Sequence, residues 1–387
     1  MIIGNEVVVT QAILWGLGIA VVYVYVGYPL LLLTMSKLCP APPVQKADIT
    51  PVVSLIIPAY NEEKVIAQKI DNTLALDYPR ERLEIIVVSD GSTENTNGIV
   101  RRYEDQGVKL IALEKNRGKS AAENAGMAVA TGEIVVFSDA TGIYSHDALR
   151  NLVRPFADVT VGCVAGLVKY ENTDITATSS GEGAYWRYEV FLRLLESRVG
   201  NLSMASGSIM ACRRSLAHTL DESVGEDFVI PMKAVLQGFR TVYAPKAISR
   251  ELVAKTGRDL LKTKVRIITK DLRGLFLCRA ILNPSRYPLY AWGLISHKLL
   301  RWLVPYFLIV LFATNVILLD HPFYQLIMLL QIAFYLLSLT GYLWERKGKS
   351  PRFMGIPFSF CLVNLAALMG VARFVMGKKA GQWEPVR

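Results

Sequence analysis

The sequence predicts an α/β domain built on a mainly parallel sheet and held at a membrane by apolar helices, one before it and about three after it. Two observations carry this expectation. Short β-branched runs alternate with amphipathic stretches through the middle of the chain, strand then helix then strand. The 387-residue chain is also 52% hydrophobic with a mean hydropathy of +0.32, more apolar than a single soluble domain needs.

Residues 12–35, 300–319, 323–344 and 356–377 are each apolar enough to cross a hydrocarbon core, which takes about 20 helical residues. The first has no basic leading region and is too long for a signal sequence, so it reads as a retained anchor. The expected organisation is 1–49 anchor and linker, 50–254 globular domain, 255–296 amphipathic interfacial helices and 297–387 membrane region. Lys37, Lys46, Lys298, Arg301 and the cluster Arg346, Lys347, Lys349 and Arg352 put the domain on the cytoplasmic side of the inner (plasma) membrane. Three full spans after the domain would carry Lys378, Lys379 and Arg387 to the opposite side. Either one late segment is re-entrant or residues 276–296 also enter the membrane.

Composition argues against several classes. The cysteines at 39, 163, 212, 278 and 361 have no CxxC or CxxH spacing, which disfavours a disulfide framework or a zinc site. The net charge of +10 collects at the membrane boundaries instead of interleaving with aromatics, so nucleic acid is not the expected partner. Gly118, Lys119 and Ser120 mimic the end of a phosphate loop, but the first glycine that loop requires is Leu113. GLGIAV at 16–21 lies inside the anchor and GEGAYW at 181–186 follows no convincing strand, so a dinucleotide fold is disfavoured. His146, His218, His297 and His321 share no ligand spacing and are expected at the surface or at interfaces. Arg373, inside the last apolar segment, is expected to face a polar cavity or to snorkel.

Within the domain SLIIPAY, LEIIVVS, VKLIALE and EIVVFSD read as strands, and EEKVIAQKIDNTLAL and SAAENAGMAVA as helices. Ligands of such sheets bind at the carboxyl ends of strands. Those ends carry Tyr60, Asn61 and Glu62, then Ser89, Asp90 and Gly91, then Asp139. Any one of them could simply cap a helix. Their joint occurrence points to a ligand site.

SLIIPAYNEE, VVSDGSTENT, NRGKSAAENAG, FSDATGIYS, GAYWRYEVFLRLLES, ASGSIMACRR and GEDFVIPM, in that order, resemble the membrane-integrated inverting glycosyltransferases of family 2. That group contains cellulose, hyaluronan and poly-N-acetylglucosamine synthases. The resemblance implies a GT-A nucleotide-sugar-binding fold and an enzyme that moves a sugar from a nucleotide sugar, a UDP-sugar, to a growing cell-surface polysaccharide. Single-sugar transfer to a polyprenyl phosphate or glycolipid is the alternative, and an inactive membrane scaffold a third reading. Membrane lipid and export subunits are implied as further partners.

Such a transfer needs a base for the acceptor hydroxyl and cations for the departing phosphates. By the resemblance Asp227 is the base, with Glu226 beside it, and Asp139 holds Mg²⁺ or Mn²⁺ and the donor diphosphate. Lys119 is a donor contact, and Tyr60, Glu62 and Asp90 meet the nucleobase and ribose. Tyr185, Trp186, Ser206, Gly207 and Ser208 fall on the acceptor side. The chain departs from the family pattern at Thr141, where a second carboxylate is usual, and at Ser89, where an aspartate is usual. In the segment where processive members carry Gln-x-x-Arg-Trp, Arg266 is kept but Thr263 and Ile267 replace glutamine and tryptophan. That same segment has an apolar stripe of Leu261, Val265, Ile268, Leu272 and Leu275 opposed by Lys262, Lys264, Lys270 and Arg273, the pattern of an interfacial helix. Arg266 would then serve the donor diphosphate or lipid headgroups.

Overall fold

The computed structural model describes residues 2–171, 177–200, 202–217, 219–252, 256–345 and 352–378. His218, Arg346, Lys347, Lys349, Lys379 and Arg387 lie outside the described residues. Helices α1 (Ile2–Val22) and α2 (Tyr28–Leu38) are joined through one π-helical turn into a single rod. Its apolar stretch, Glu6–Leu38, spans 33 residues, about 50 Å at 1.5 Å per residue against a core of roughly 30 Å. The surplus turns reach the domain, where Tyr28 and Leu32 pack on Leu192, Leu195 and Val199.

The domain then runs β1 (Val53–Ala59), α3 (Ile66–Leu74), β2 (Leu83–Asp90), α4 (Thr96–Arg101), β3 (Val108–Leu113), α5 (Lys119–Val129), β4 (Ile134–Phe137), β5 (Ile143–Tyr144), α6 (Ala148–Val153), β6 (Val161–Glu171), α7 (Ala177–Arg198), β7 (Met210–Arg213), α8 (Glu226–Leu236) and β8 (Arg240–Leu252). The strands form one 8-stranded sheet in the order β3-β2-β1-β4-β7-β6-β8-β5. β1 pairs parallel with β2 and β4, β2 with β3, and β6 with β8, whereas β7 is antiparallel to both its neighbours and β5 to β8. Every residue of β1 is buried, as expected of a central strand covered on both faces. The four strands read from the sequence are β1 to β4, and all four end on the same side.

The antiparallel β7 performs the step that matters for the site. Phe137 at the end of β4 pairs with Met210 at the start of β7, so the loop Ser206-Gly207-Ser208 lies beside the turn carrying Asp139. β8 ends next to β5, with Arg250 opposite Ile143, and so delivers Glu251 to the same turn.

After the domain come α9 (Gly257–Leu277), α10 (Pro288–Leu294), which continues through a π-turn into α11 (Leu300–Ile317), then α12 (Pro322–Glu345) and α13 (Gly355–Val375). Thr256 caps α9 by accepting a hydrogen bond from the Asp259 N–H at 3.2 Å. With the N-terminal rod, the stretches Pro288–Ile317, Pro322–Glu345 and Gly355–Val375 are long and apolar enough to cross a membrane. The last differs in its surroundings. A Cβ on Gly257 would lie 2.9 Å from Phe358, and one on Gly370 2.9 Å from Ile268, so α13 runs alongside α9.

The spacing in α9 correctly predicted a helix with Val265, Ile268, Leu272 and Leu275 buried. Its basic face is not the uniform outward stripe that was expected. Lys264 turns onto Glu182 at 2.7 Å, and Lys270 comes within 3.4 Å of the Ser120 hydroxyl, because α9 roofs the domain's own cavity. Arg373 is exposed in the last turn of α13, a position that suits snorkelling better than a polar cavity.

Candidate active site

At the ends of β1 and β2 the chain ties two turns together. Asn61 adopts φ 54, a left-handed conformation that asparagine tolerates better than most residues. Its side-chain oxygen accepts from the Thr93 N–H at 2.8 Å, and its own N–H donates to the Ser92 hydroxyl at 3.1 Å. The Glu62 N–H donates to the Thr96 hydroxyl at 3.0 Å. Asp90 accepts from the N–H groups of Arg117 at 2.9 Å and Gly118 at 2.7 Å. Burial lifts its carboxyl above the usual range, and those two hydrogen bonds offset this only in part. Tyr60, Glu62 and Asp90 are thus brought together on one lip of the sheet, and Asp90 also fixes the loop that launches α5.

That launch sets Lys119 on the first turn of α5, where its ammonium touches Asp139 at 2.6 Å and Glu226 at 2.7 Å, with Glu123 at 3.7 Å. Burial alone would depress the lysine, but Asp139, Glu226 and Glu123 outweigh it and hold its pKa well above the ordinary value. A glycine stands opposite: a Cβ on Gly207 would lie 2.8 Å from the Lys119 nitrogen and would press on Glu226 Oε1, so both side-chain ends would have to move. Gly207→Ala is therefore expected to shift the ends of Lys119 and Glu226 by a fraction of an ångström without parting them, and to lower kcat by at least about tenfold, the cost of such a misplacement. A thermal melt close to that of the parent protein, beside kcat, separates this from misfolding.

Glu226 and Asp227 occupy the first turn of α8, where the helix dipole favours acids. Burial first, and then the charge of Glu226, push the Asp227 carboxyl up to about 6. A Cβ on Gly225 would lie 3.0 Å from Asp227 Oδ1 and 3.5 Å from Asp271 Oδ1, so a second carboxyl from α9 stands near the first. The Asp271 carboxyl is itself driven well up by burial and by Asp227.

Around Asp139 the turn is anchored by Lys69, which is buried, donates to the Gly142 carbonyl at 2.6 Å and lies 4.0 Å over the Tyr144 ring. Thr141 is exposed. Glu251 supplies a carboxylate in its place: a Cβ on Gly142 would lie 3.4 Å from Glu251 Oε1, and that oxygen is buried without a hydrogen-bond partner. Burial and the charge of Asp139 push the Glu251 carboxyl up to about 7. Among the described residues no group of three His, Cys, Asp or Glu side chains forms a closed metal site. Asp139 and Glu251 nevertheless form a pair of hard oxygen donors that fits Mg²⁺ or Mn²⁺ sharing its shell with phosphate.

A cavity of about 340 Å³ joins these groups. Lys119, Asp139, Glu226, Asp227, Ser206, Gly207, Ser208, Tyr185, Trp186 and Arg266 all line it, whereas Tyr60, Glu62 and Asp90 stand apart from its wall. The Trp186 indole N–H donates to the Val168 carbonyl at 2.6 Å, and its ring packs edge-on to Tyr170. The Tyr185 ring has the Lys264 ammonium 4.5 Å from its centroid. His297 is not the surface or interface residue the sequence suggested: it is buried, 2.6 Å from Glu196 and 3.3 Å from Glu189. Glu189 also pairs with Arg301. Glu251, Asp271 and the pairing of Glu189 with His297 and Arg301 were invisible in the sequence, since they join distant segments; Glu189 and Arg193 lie inside GAYWRYEVFLRLLES, but nothing there singled them out.

Residues 54–220 match the family model described as Glycosyl transferase family 2. The chain is 28% identical over 248 residues to a poly-beta-1,6-N-acetyl-D-glucosamine synthase of Staphylococcus aureus, covering 62% of this chain and 59% of that protein. It is 30% identical over 261 residues to an N-acetylglucosaminyltransferase of Rhizobium meliloti, covering 63% and 61% respectively. The match thus spans about 60% of the length of these relatives. The mannosyltransferase PcManGT of Pyrobaculum calidifontis, solved with GDP-Man and Mn²⁺, superimposes with a TM-score of 0.71 at 24% identity, over 96% of this chain and 100% of that one. The fold is therefore shared from the domain into the apolar helices, and the chain carries a glycosyl transferase family 2 domain of GT-A fold.

Proposed function

We propose that this protein is a membrane-bound inverting glycosyltransferase that moves a sugar from a nucleotide sugar, a UDP-sugar, onto a hydroxyl of a growing cell-surface polysaccharide. The observation that carries this reading is the Asp227 carboxyl, raised to about 6 and set in the same cavity as the Lys119–Asp139–Glu226 cluster. A carboxylate of that basicity is ionised at neutral pH and well matched to taking a proton.

Asp227 accepts the proton of the acceptor hydroxyl while that oxygen bonds to the anomeric carbon. The bond from that carbon to the diphosphate breaks, and the leaving group keeps the electron pair. Attack and departure on opposite faces invert the centre in one step and require a single base. Lys119, Arg266 and Lys270 line the donor side of the cavity and offset the charge on the leaving phosphates. Asp139 and Glu251 would hold Mg²⁺ or Mn²⁺, which supplies further electrostatic stabilisation of the diphosphate when bound. Tyr60, Glu62 and Asp90 would meet the nucleoside.

The packing of α13 along α9 supports a topology in which the rod α1–α2, the stretch Pro288–Ile317 and the stretch Pro322–Glu345 cross the membrane, while α13 lies at its cytoplasmic face. The domain and Lys378 just after α13 then share the cytoplasmic side of the inner membrane, in keeping with the charge rule.

The test is transfer from radiolabelled UDP-glucose, UDP-N-acetylglucosamine and GDP-mannose in inside-out vesicles with Mg²⁺ or Mn²⁺, with Asp227→Asn alongside and the product sized. Long labelled chains that disappear with Asp227→Asn support the reading. No Asp227-dependent transfer from any donor rejects it. The same assay across pH 5 to 8 has an expected sign: ionised Asp227 is the active form, so kcat falls about tenfold per unit below a midpoint near 6. A rate that holds level down to pH 5 removes Asp227 from the base role.

A further inference from the structure

Half of the cationic side chains that line the cavity have a carboxylate partner. Lys119 has Asp139 and Glu226, Lys264 has Glu182, and Arg301 and His297 have Glu189. Among the described residues Arg266 and Lys270 have no carboxylate at ion-pair distance, and neither do two more deeply buried cations. Arg193, 4% exposed, donates to the Ser206 hydroxyl at 2.9 Å and lies 5.0 Å over the Trp186 ring. Lys298, 8% exposed, has the Met204 sulfur at 3.0 Å. Among the described residues neither has a carboxylate within ion-pair distance.

Their placement relative to Asp227 is specific. Met204, Ala205 and Ser206 are consecutive: Lys298 reaches the first, the N–H of the second donates to the Asp227 carbonyl at 2.8 Å, and Arg193 reaches the third. This tripeptide therefore ties two positive charges to the segment of the proposed base, with Asp227, Asp271 and Glu189 acting on them from beyond ion-pair distance. Burying an unpaired charge is costly, and arginine cannot shed its proton to escape that cost. Such a pair gains from a ligand that brings a negative charge into direct contact with it. The donor diphosphate is already assigned Lys119, Arg266 and Lys270, which gather about Glu226. Trp302, Val363 and Ala367 of the apolar helices complete the wall beside Lys298.

We propose that Arg193 and Lys298 form an anion subsite for the acceptor, so that the sugar placed against Asp227 belongs to a molecule carrying a phosphate or carboxylate next to the reacting residue. This rests on the glycosyl-transfer reading and narrows its acceptor. A phosphate would come from a lipid-linked saccharide and a carboxylate from an acidic polysaccharide.

The experiment uses the full chain in lipid nanodiscs with its active nucleotide sugar and three acceptors sharing one terminal sugar: a neutral oligosaccharide, the same saccharide on a polyprenyl phosphate, and one with a uronic acid next to the terminal sugar. Parent protein, Lys298→Met and Arg193→Met are compared, with UDP binding as the check that each variant is folded. The expected result is that the parent prefers one charged acceptor over the neutral one by at least about tenfold in kcat/KM, and that each variant cuts this preference about tenfold through KM, the scale of one lost charge-assisted hydrogen bond. Preference for the polyprenyl phosphate identifies a lipid phosphate, and preference for the uronate an acidic polymer. Equal use of all three by the parent, or a preference that survives in variants that still bind UDP, overturns the subsite and leaves glycosyl transfer standing. Absence of Asp227-dependent transfer to all three overturns glycosyl transfer, and the subsite with it.

Discussion

Asp227→Asn is expected to lower the turnover number by roughly 10²- to 10⁴-fold, the range that a positioned general base supplies, while UDP affinity stays within a few-fold. The asymmetry follows from geometry. The donor-side cations Lys119, Arg266 and Lys270, with the Asp90-braced loop, do not depend on the Asp227 side chain, whose backbone carbonyl keeps its bond to Ala205 in the variant. Asparagine keeps the shape and loses the proton-accepting oxygen. Because burial and Glu226 already disfavour the charge on Asp227, the variant should also melt no lower than the parent. Nucleotide binding by titration calorimetry, kcat by transfer and one thermal melt test all three statements. An Asp227→Asn protein with kcat within tenfold of the parent would sink the base assignment.

Lys119→Met should be the most damaging single change to stability near the site. Among the described residues it removes the one cation in ion-pair contact with Asp139, Glu226 and Glu123, of which Glu226 and Glu123 are buried. Breaking a buried ion-pair network from one side costs about 3–5 kcal/mol, because the remaining charges lose their compensation. The pH dependence has a definite sign. In the variant the carboxylates are ionised in the unfolded chain but resisted in the folded one, so their folded pKa values lie above the unfolded ones. Stability is then lost as pH rises above the ordinary carboxylate range and recovered as pH falls toward it. Melting midpoints at pH 5.5 and 7.5 should show a deficit larger at pH 7.5. An equal deficit at both would mean that the lysine acts through packing alone.

Legibility in the sequence followed locality. β1, β2 and β4 were readable because parallel strands buried on both faces leave unbroken apolar runs, as in SLIIP and EIIVV, and β3, a half-exposed edge strand, from the short run VKLIAL. β7 was not, since MACR is a strand of only four residues defined by its partners β4 and β6. Gly118, Lys119 and Asp90 could be placed from motif order, and the structure does set them at one loop. Thr141 looked like a missing acid, and only the pairing of β8 with β5 shows Glu251 arriving at that turn from more than a hundred positions away.

The amino-acid sequence by itself determined the alternation of strands and helices, the apolar helices at both ends and the succession of polar turns at strand ends. Each is a short-range pattern of hydropathy or turn chemistry, complete within a few residues. The tertiary structure alone decided which charges meet. It put Lys119 between Asp139 and Glu226, turned Lys264 and Lys270 inward, buried His297 between two glutamates and, among the described residues, left Arg193 and Lys298 without an ion pair. Coulomb energy and desolvation depend on distances through space, and in this fold those distances are set by sheet order and by the packing of α7, α9, α11 and α13, which no local stretch of sequence encodes.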